Sequence, residues 1–121
     1  MLSIAKTTLA YGIALDLLGV VQLLADGGKI GHGFIMCIVL GTIHQGLGAA
    51  GLKAPLRFGA MVAAATIAGI SLVMPLLQVY RSVFGDRGVT TGNWILIAMI
   101  VMTVGYLAAN GRYLSNPDAA Q

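Results

Sequence analysis

One acidic side chain, Asp16, lies in the middle of a long apolar segment of this sequence. Three further apolar segments, over residues 30–52, 58–80 and 88–111, contain no charged residue at all. A carboxylate at the centre of a membrane costs about 3 kcal/mol or more unless it faces protein, takes up a proton or finds a polar partner. Asp16 is therefore the leading candidate for a functional residue, and proton exchange is the chemistry that it predicts.

A partner for Asp16 is suggested by depth in the membrane. Because a helix rises 1.5 Å per residue, side chains near the midpoints of the four apolar segments lie at one level. This comparison predicts a polar layer, and a proton or substrate site, formed by Asp16, Thr42, His44, Ser71, Thr103 and Tyr106. Within it we predict a pair between Asp16 and His44, since a carboxyl group beside an imidazole can hold or pass a proton near neutral pH. The alternative is that Asp16 only hydrogen-bonds a neighbouring helix.

Cofactor chemistry is less well supported by the residue pattern. His32 and His44 would lie about 18 Å apart on one helix, so a haem would need a histidine from each of two subunits. No spacing of His, Cys, Asp or Glu predicts a metal site, and Cys37 is interpreted as a packing residue. A third alternative is a quinone-site subunit or membrane enzyme that uses Asp16, His44 and Tyr106. It is less favoured because the sequence contains no pattern that resembles a nucleophile with an oriented base. We predict no catalytic residue, metal or resident cofactor.

Small residues recur at helical spacing in three of the apolar segments. Residues 46–51 match the letters of G-x-G-x-x-G, but a dinucleotide-binding motif follows a strand, and this run ends an apolar helix. Glycine and alanine instead let membrane helices approach closely. We predict this role for residues 46–51 and also for Gly12, Gly19, Ala60, Ala64, Ala65, Ala68 and Gly69.

Four membrane-spanning helices must position these residues. Of the 121 residues, 58% are hydrophobic and 9% are charged, whereas about a quarter of the residues in soluble domains are charged. About 20 apolar residues cross the hydrocarbon core as a helix, and the chain has such segments over residues 8–25, 30–52, 58–80 and 94–113. The predicted fold is an all-α integral membrane protein, a four-transmembrane-helix up-down-up-down bundle. It forms one domain over residues 1–121, with a polar tail over 115–121.

The connections and the cations complete this prediction. Gly27 and Gly28 predict a hairpin with the tightest connection of the chain, and residues 82–93 predict an irregular or interfacial segment. The seven Lys and Arg residues lie singly beside the spans, a pattern that excludes a nucleic-acid surface. Four of them lie on the side of the termini and three on the other side. The positive-inside rule then predicts both termini in the cytoplasm, in a bacterial inner membrane.

A resemblance to one transporter family rests on two short stretches. Residues 15–19 place an acid in the first helix, and residues 84–87 read Phe-Gly-Asp-Arg before the last helix. With four spans in little more than a hundred residues, this layout resembles the small multidrug resistance transporters. That family has glutamate where this chain has Asp16, and its cavity aromatics on the second and third helices have no counterpart here, so no substrate class is carried over.

Two functions follow from these residues as hypotheses. The first is a proton-coupled transporter of a small solute, organised around Asp16 and acting as an oligomer. The second is an accessory subunit of a larger respiratory, photosynthetic or transport complex, which docks through Gly- and Ala-rich helix faces. Both predict the lipid bilayer and other membrane subunits or further copies as partners.

Overall fold

The computed structural model describes residues 3–85 and 91–116. These residues form four helices, α1 (Ile4–Ala25), α2 (His32–Ala49), α3 (Ala54–Phe84) and α4 (Thr91–Ser115), and no strand occurs among them. Each helix contains a stretch that is long and apolar enough to cross a membrane. The prediction of an all-α membrane protein with a four-helix bundle is confirmed.

The helices differ from the predicted spans mainly in length. α1 begins at Ile4 because the hydroxyl of Ser3 caps it, accepting a hydrogen bond from the Lys6 backbone N–H. α3 has 31 residues, and its length of about 46 Å exceeds the thickness of the hydrocarbon core. Residues 82–84 and 91–93, predicted to be irregular, are helical. Residues 86–90 and 117–121, the rest of that segment and most of the polar tail, lie outside the described residues.

The shortest described connection is not the one that the glycines predicted. Gly27 and Gly28 do turn the chain, with φ of 71° and 85°, but residues 26–31 separate α1 from α2, whereas residues 50–53 separate α2 from α3. Gly51, with φ of 64°, helps the chain turn after α2, and Pro55 fits the first turn of α3. The prediction that Gly27 and Gly28 form the tightest connection is therefore wrong.

Neighbouring helices pack antiparallel, as the up-down-up-down topology requires. α1 packs extensively against α2 and also contacts α4, while α3 packs mainly against α4. α2 and α3 contact each other less. The central core contains Tyr11, Leu15, Cys37, Leu40, Ala64, Ala68, Met99 and Tyr106. Large apolar side chains such as Leu17, Ile70 and Val101 point outward, as expected of helices that face lipid.

Glycines bring the backbones of α1 and α2 into contact. A Cβ atom added to Gly12 would lie 2.6 Å from the Gly41 carbonyl oxygen, and one added to Gly48 would lie 2.6 Å from the Leu9 nitrogen. One added to Gly19 would lie 3.0 Å from the Cys37 Cβ. The predicted close-contact role is thus confirmed for Gly12, Gly19 and Gly48, and Ala60, Ala64 and Ala68 are buried as predicted. It is wrong for Gly46, Gly51 and Gly69, because among the described residues no packing neighbour lies within 4 Å of a Cβ added at any of them.

Candidate functional site

Asp16 lies at the interface between α1 and α2. Its Oδ2 accepts a hydrogen bond from the side-chain amide of Gln45. Its Oδ1 is buried against Gly41 and has no hydrogen-bond partner within the described parts of the chain. A Cβ at Gly41 would occupy the place of this oxygen, so a glycine is what allows the carboxyl group to fit between the helices.

His44 does not pair with Asp16, and this prediction is wrong. The imidazole is fully buried, with Nδ1 2.8 Å from the Leu40 carbonyl oxygen and Nε2 3.2 Å from the Ala64 carbonyl oxygen. Successive residues of a helix point about 100° apart, so Gln45 faces α1 while His44 faces α3 and α4. The depth comparison placed Asp16 correctly opposite Gly41, but it contained no information about rotation around the α2 axis.

Two tyrosines surround the imidazole. The rings of Tyr11 and Tyr106 stack with their centroids 4.4 Å apart and an interplanar angle of 2°. The His44 ring stands edge-on to both, with centroid distances of 4.9 Å to Tyr11 and 5.5 Å to Tyr106. Such edge-to-face contacts stabilise by about 1 kcal/mol beyond the buried area.

Hydrogen bonds tie these rings to α1, α3 and α4. The Tyr11 hydroxyl lies 2.8 Å from the Thr103 hydroxyl, and the Tyr106 hydroxyl lies 3.0 Å from the Thr8 hydroxyl. The Asn110 amide donates to the Tyr106 hydroxyl at 2.8 Å and to the Met61 carbonyl at 3.0 Å. We call this group the polar core; it consists of Thr8, Tyr11, His44, Thr103, Tyr106 and Asn110.

The predicted polar layer is therefore divided among separate places. His44, Thr103 and Tyr106 belong to the polar core, which lies in the half of the bundle nearer the termini. Thr42 is exposed, and its hydroxyl donates to the Ile38 carbonyl of its own helix. Ser71 is half-buried and donates to the Ile67 carbonyl. Among the described residues, neither Thr42 nor Ser71 has a hydrogen bond to Asp16.

Sequence reasoning missed Thr8, Tyr11 and Asn110 as members of this cluster. A signal was present, because Tyr106 and Asn110 are four residues apart and share one face of α4. Thr8 and Tyr11 are three residues apart on α1, opposite that face. The search around the segment midpoints ignored polar residues nearer the ends, where this bundle has its most connected hydrogen bonds.

A cavity of about 310 Å³ lies between α2 and α3 in the other half of the bundle, nearer the connection between α1 and α2. We call it the α2–α3 cavity. Its polar lining comes from Gln22, His32, Ser71 and Gln78, and its other lining includes Leu40, Leu96 and Pro75. No charged side chain among the described residues lines it. Because proline has no backbone N–H, Pro75 also leaves the Ser71 carbonyl without its helical partner beside this cavity.

Removing one hydroxyl group tests the polar core. We expect Tyr106→Phe to lower the free energy of unfolding by about 1 kcal/mol, because Thr8 and Asn110 both lose a buried partner. The matched control is Tyr80→Phe, since Tyr80 is exposed on α3. Unfolding of both variants in mixed detergent measures the difference. Equal stability of the two variants would contradict a stabilising role for the network.

Comparison with known proteins adds no further constraint on this site. Within residues 3–85 and 91–116, no group of three or more His, Cys, Asp or Glu side chains is placed to hold a metal ion. Searches against protein-family models, curated proteins and solved structures found no match to the chain. The function is therefore argued from the geometry alone.

Proposed function

We propose that this protein is a small membrane transporter that exchanges a proton at Asp16 for a small solute held in the α2–α3 cavity. One observation carries the proposal. Asp16 lies inside the helical bundle and, within the part of the chain that the structure describes, has a single hydrogen bond, from Gln45, while its other oxygen is buried without a partner there. A charged carboxylate in this position is costly, and taking up a proton removes the charge without breaking the bond to Gln45.

The α1–α2 interface connects this carboxyl group with the cavity. Gln22 lines the cavity and follows Asp16 by six residues, about 9 Å along α1. Between them, Gly19 packs against Cys37, which also lines the cavity. A change of charge at Asp16 therefore acts on the same pair of closely packed helices that forms one wall of the solute site.

The proposal includes an orientation and an assembly. Both termini lie in the cytoplasm of a bacterial cell and the protein sits in the inner membrane, supported by the four cations beside the termini against three on the other side. In that orientation the α2–α3 cavity lies in the outer half of the membrane. The working unit is an oligomer of this chain.

Asp16→Asn tests the proton site directly. Asparagine keeps an oxygen that can accept from Gln45, so we expect an unchanged fold and unfolding free energy but no proton exchange. Infrared difference spectra between acidic and alkaline pH should contain, apart from the bands of carboxyl groups in contact with water, a protonated-carboxyl band from a group shielded from water, and this variant should lack that band. The control is Asp26→Asn, because Asp26 is exposed in the connection after α1 and its loss leaves the band in place. If Asp16→Asn retains the band, the proton-coupled function is wrong.

An accessory subunit of a larger membrane complex is the second candidate. It is supported by Gly59, Gly69 and Gly105, since no packing neighbour in residues 3–85 and 91–116 lies within 4 Å of a Cβ added at any of them. These positions are therefore open to a helix of another subunit. Purification in mild detergent separates the two functions. A stable oligomer of this chain supports the transporter, and stoichiometric co-purification of other membrane subunits supports the accessory role.

A further inference from the structure

Sulfur-containing side chains collect around the α2–α3 cavity. Met36, Cys37, Met74 and Met99 line it. They are four of the six sulfur-containing side chains in residues 3–85 and 91–116; the other two are Met61 and Met102. The four come from α2, α3 and α4, so the fold brings together groups that are far apart in sequence.

Their burial gives the cavity a base and a mouth. Cys37 and Met99 are 2% and 7% exposed and form the base, whereas Met36 and Met74 are 49% and 59% exposed and flank the opening. The imidazole of His32 stands at the end nearer the membrane face. A solute that enters between α2 and α3 thus meets sulfur atoms both at the mouth and at the base of the cavity.

Apolar packing does not account for this arrangement. A methionine used as filler occupies space, as Met61 does: it is 1% exposed, and its sulfur accepts a hydrogen bond from the Thr8 hydroxyl. In the α2–α3 cavity, three methionines instead line an open volume of about 310 Å³ together with residues of all four helices. The donors are thioethers and a thiol. No carboxylate among the described residues lines the cavity itself, although Asp16 lies close enough to Cys37 for its charge to act on the thiol.

We propose that the α2–α3 cavity binds Cu(I) through the thioethers of Met36, Met74 and Met99 and the thiolate of Cys37. This proposal rests on the proposed function, in that it names the class of its solute as a soft monovalent cation. Thioether and thiolate ligands select Cu(I), whereas hard cations such as Mg²⁺ and Ca²⁺ need oxygen ligands.

The charge balance suits a membrane interior. When Cu(I) binds, the S–H bond of Cys37 breaks and a Cu–S bond forms, and the proton leaves past the polar side chain of His32, at the start of α2, to water at the membrane face. Copper stays in the +1 state, and no oxidant or reductant is consumed. The cation and the thiolate neutralise each other, and the three thioethers add ligands without adding charge. Binding therefore leaves the net charge of the cavity unchanged.

A chelator competition tests the cation site. The detergent-purified protein is titrated anaerobically with Cu(I) against a chromogenic Cu(I) chelator, while proton release is followed with a pH dye. We expect one Cu(I) and about one proton per chain. The double variant Met36→Leu/Met74→Leu should bind at least about tenfold more weakly, and Cys37→Ser should also lose the proton release. Met102→Leu is the matched control and binds as the original chain does, since Met102 lies outside the cavity. Leucine closely matches methionine in volume, so the fold is preserved.

The outcomes separate this site from the proposed function. Equal Cu(I) affinity in the original chain and the double variant overturns the cation site, whatever the behaviour of Cys37→Ser. Tight binding of an apolar dye without Cu(I) binding also overturns it, in favour of an organic solute. Asp16→Asn should keep its Cu(I) affinity, because Asp16 does not line the cavity and exchange of the Cys37 proton for Cu(I) leaves the local charge unchanged, so the nearby charge of Asp16 favours neither state. If that variant binds Cu(I) and still shows the carboxyl band, the site stands and the proton-coupled function fails.

Discussion

Gly48→Ala is expected to destabilise the bundle by about 2 kcal/mol. The added methyl group would lie 2.6 Å from the Leu9 nitrogen and 2.7 Å from the Ala5 carbonyl oxygen. Both atoms belong to the α1 backbone, which cannot rotate away as a flexible side chain can. α1 and α2 must therefore separate locally, and the hydrogen bond between Gln45 and Asp16 is strained with them. Unfolding in mixed detergent measures the loss.

Gly46→Ala is the matched control for this prediction. Gly46 lies two residues away on the same helix. Among the described residues, no packing neighbour lies within 4 Å of a methyl group added there. Alanine at this position should stabilise the helix by about 0.5 to 1 kcal/mol, since glycine is the poorer helix former. The two substitutions are chemically identical, so their difference isolates the helix contact. A Gly48→Ala variant as stable as Gly46→Ala would show that the close approach of the helices contributes nothing.

His44→Ala is expected to lower the free energy of unfolding by about 3 kcal/mol. The substitution opens a hole in the polar core beside the stacked rings of Tyr11 and Tyr106. It also removes the hydrogen-bonding contact with the Ala64 carbonyl, which ties α2 to α3. Exchange of hydrogen in the α3 backbone, together with unfolding in detergent, should report loosening around Ala64.

His32→Ala is the control, because His32 is exposed at the first residue of α2. A surface substitution of this kind changes stability by less than about 0.5 kcal/mol. If both histidine variants lower the free energy of unfolding by the same amount, the buried imidazole of His44 contributes no more to stability than an exposed histidine. If neither does, the packing of its ring against the two tyrosines is worth little.

The number of helices and their approximate positions followed from the sequence, because they depend on runs of apolar residues. The register of α1 against α2 was also predictable, and Asp16 does lie opposite Gly41. The rotation of each helix about its own axis was not predictable, because these segments are apolar on all sides and lack a clear polar face. For that reason His44 was paired with Asp16, although Gln45 is the neighbour that points toward it.

The α2–α3 cavity was beyond sequence reasoning for a different reason. Its lining joins residues from all four helices, and Cys37 and Met99 are 62 positions apart in sequence. Sequence patterns detect ligands that are close together along the chain. A set of soft donors assembled only by tertiary packing leaves no such pattern, and a single cysteine among apolar residues was interpreted as packing.

α3 contacts the polar core in one half of the bundle and lines the α2–α3 cavity in the other half. A small tilt of this helix therefore has its largest effect at the cavity end. The contact between His44 and the Ala64 carbonyl serves as the pivot of this tilt, in the half of the bundle nearer the termini. Gln78, at the far end of the cavity wall, follows Ala64 by 14 residues, which is about 21 Å of helix. A tilt of α3 by about 5° around this pivot moves Gln78 by about 1.8 Å. A tilt too small to disturb the stacked tyrosines thus changes the width of the cavity at its Gln78 end by more than the radius of a water molecule.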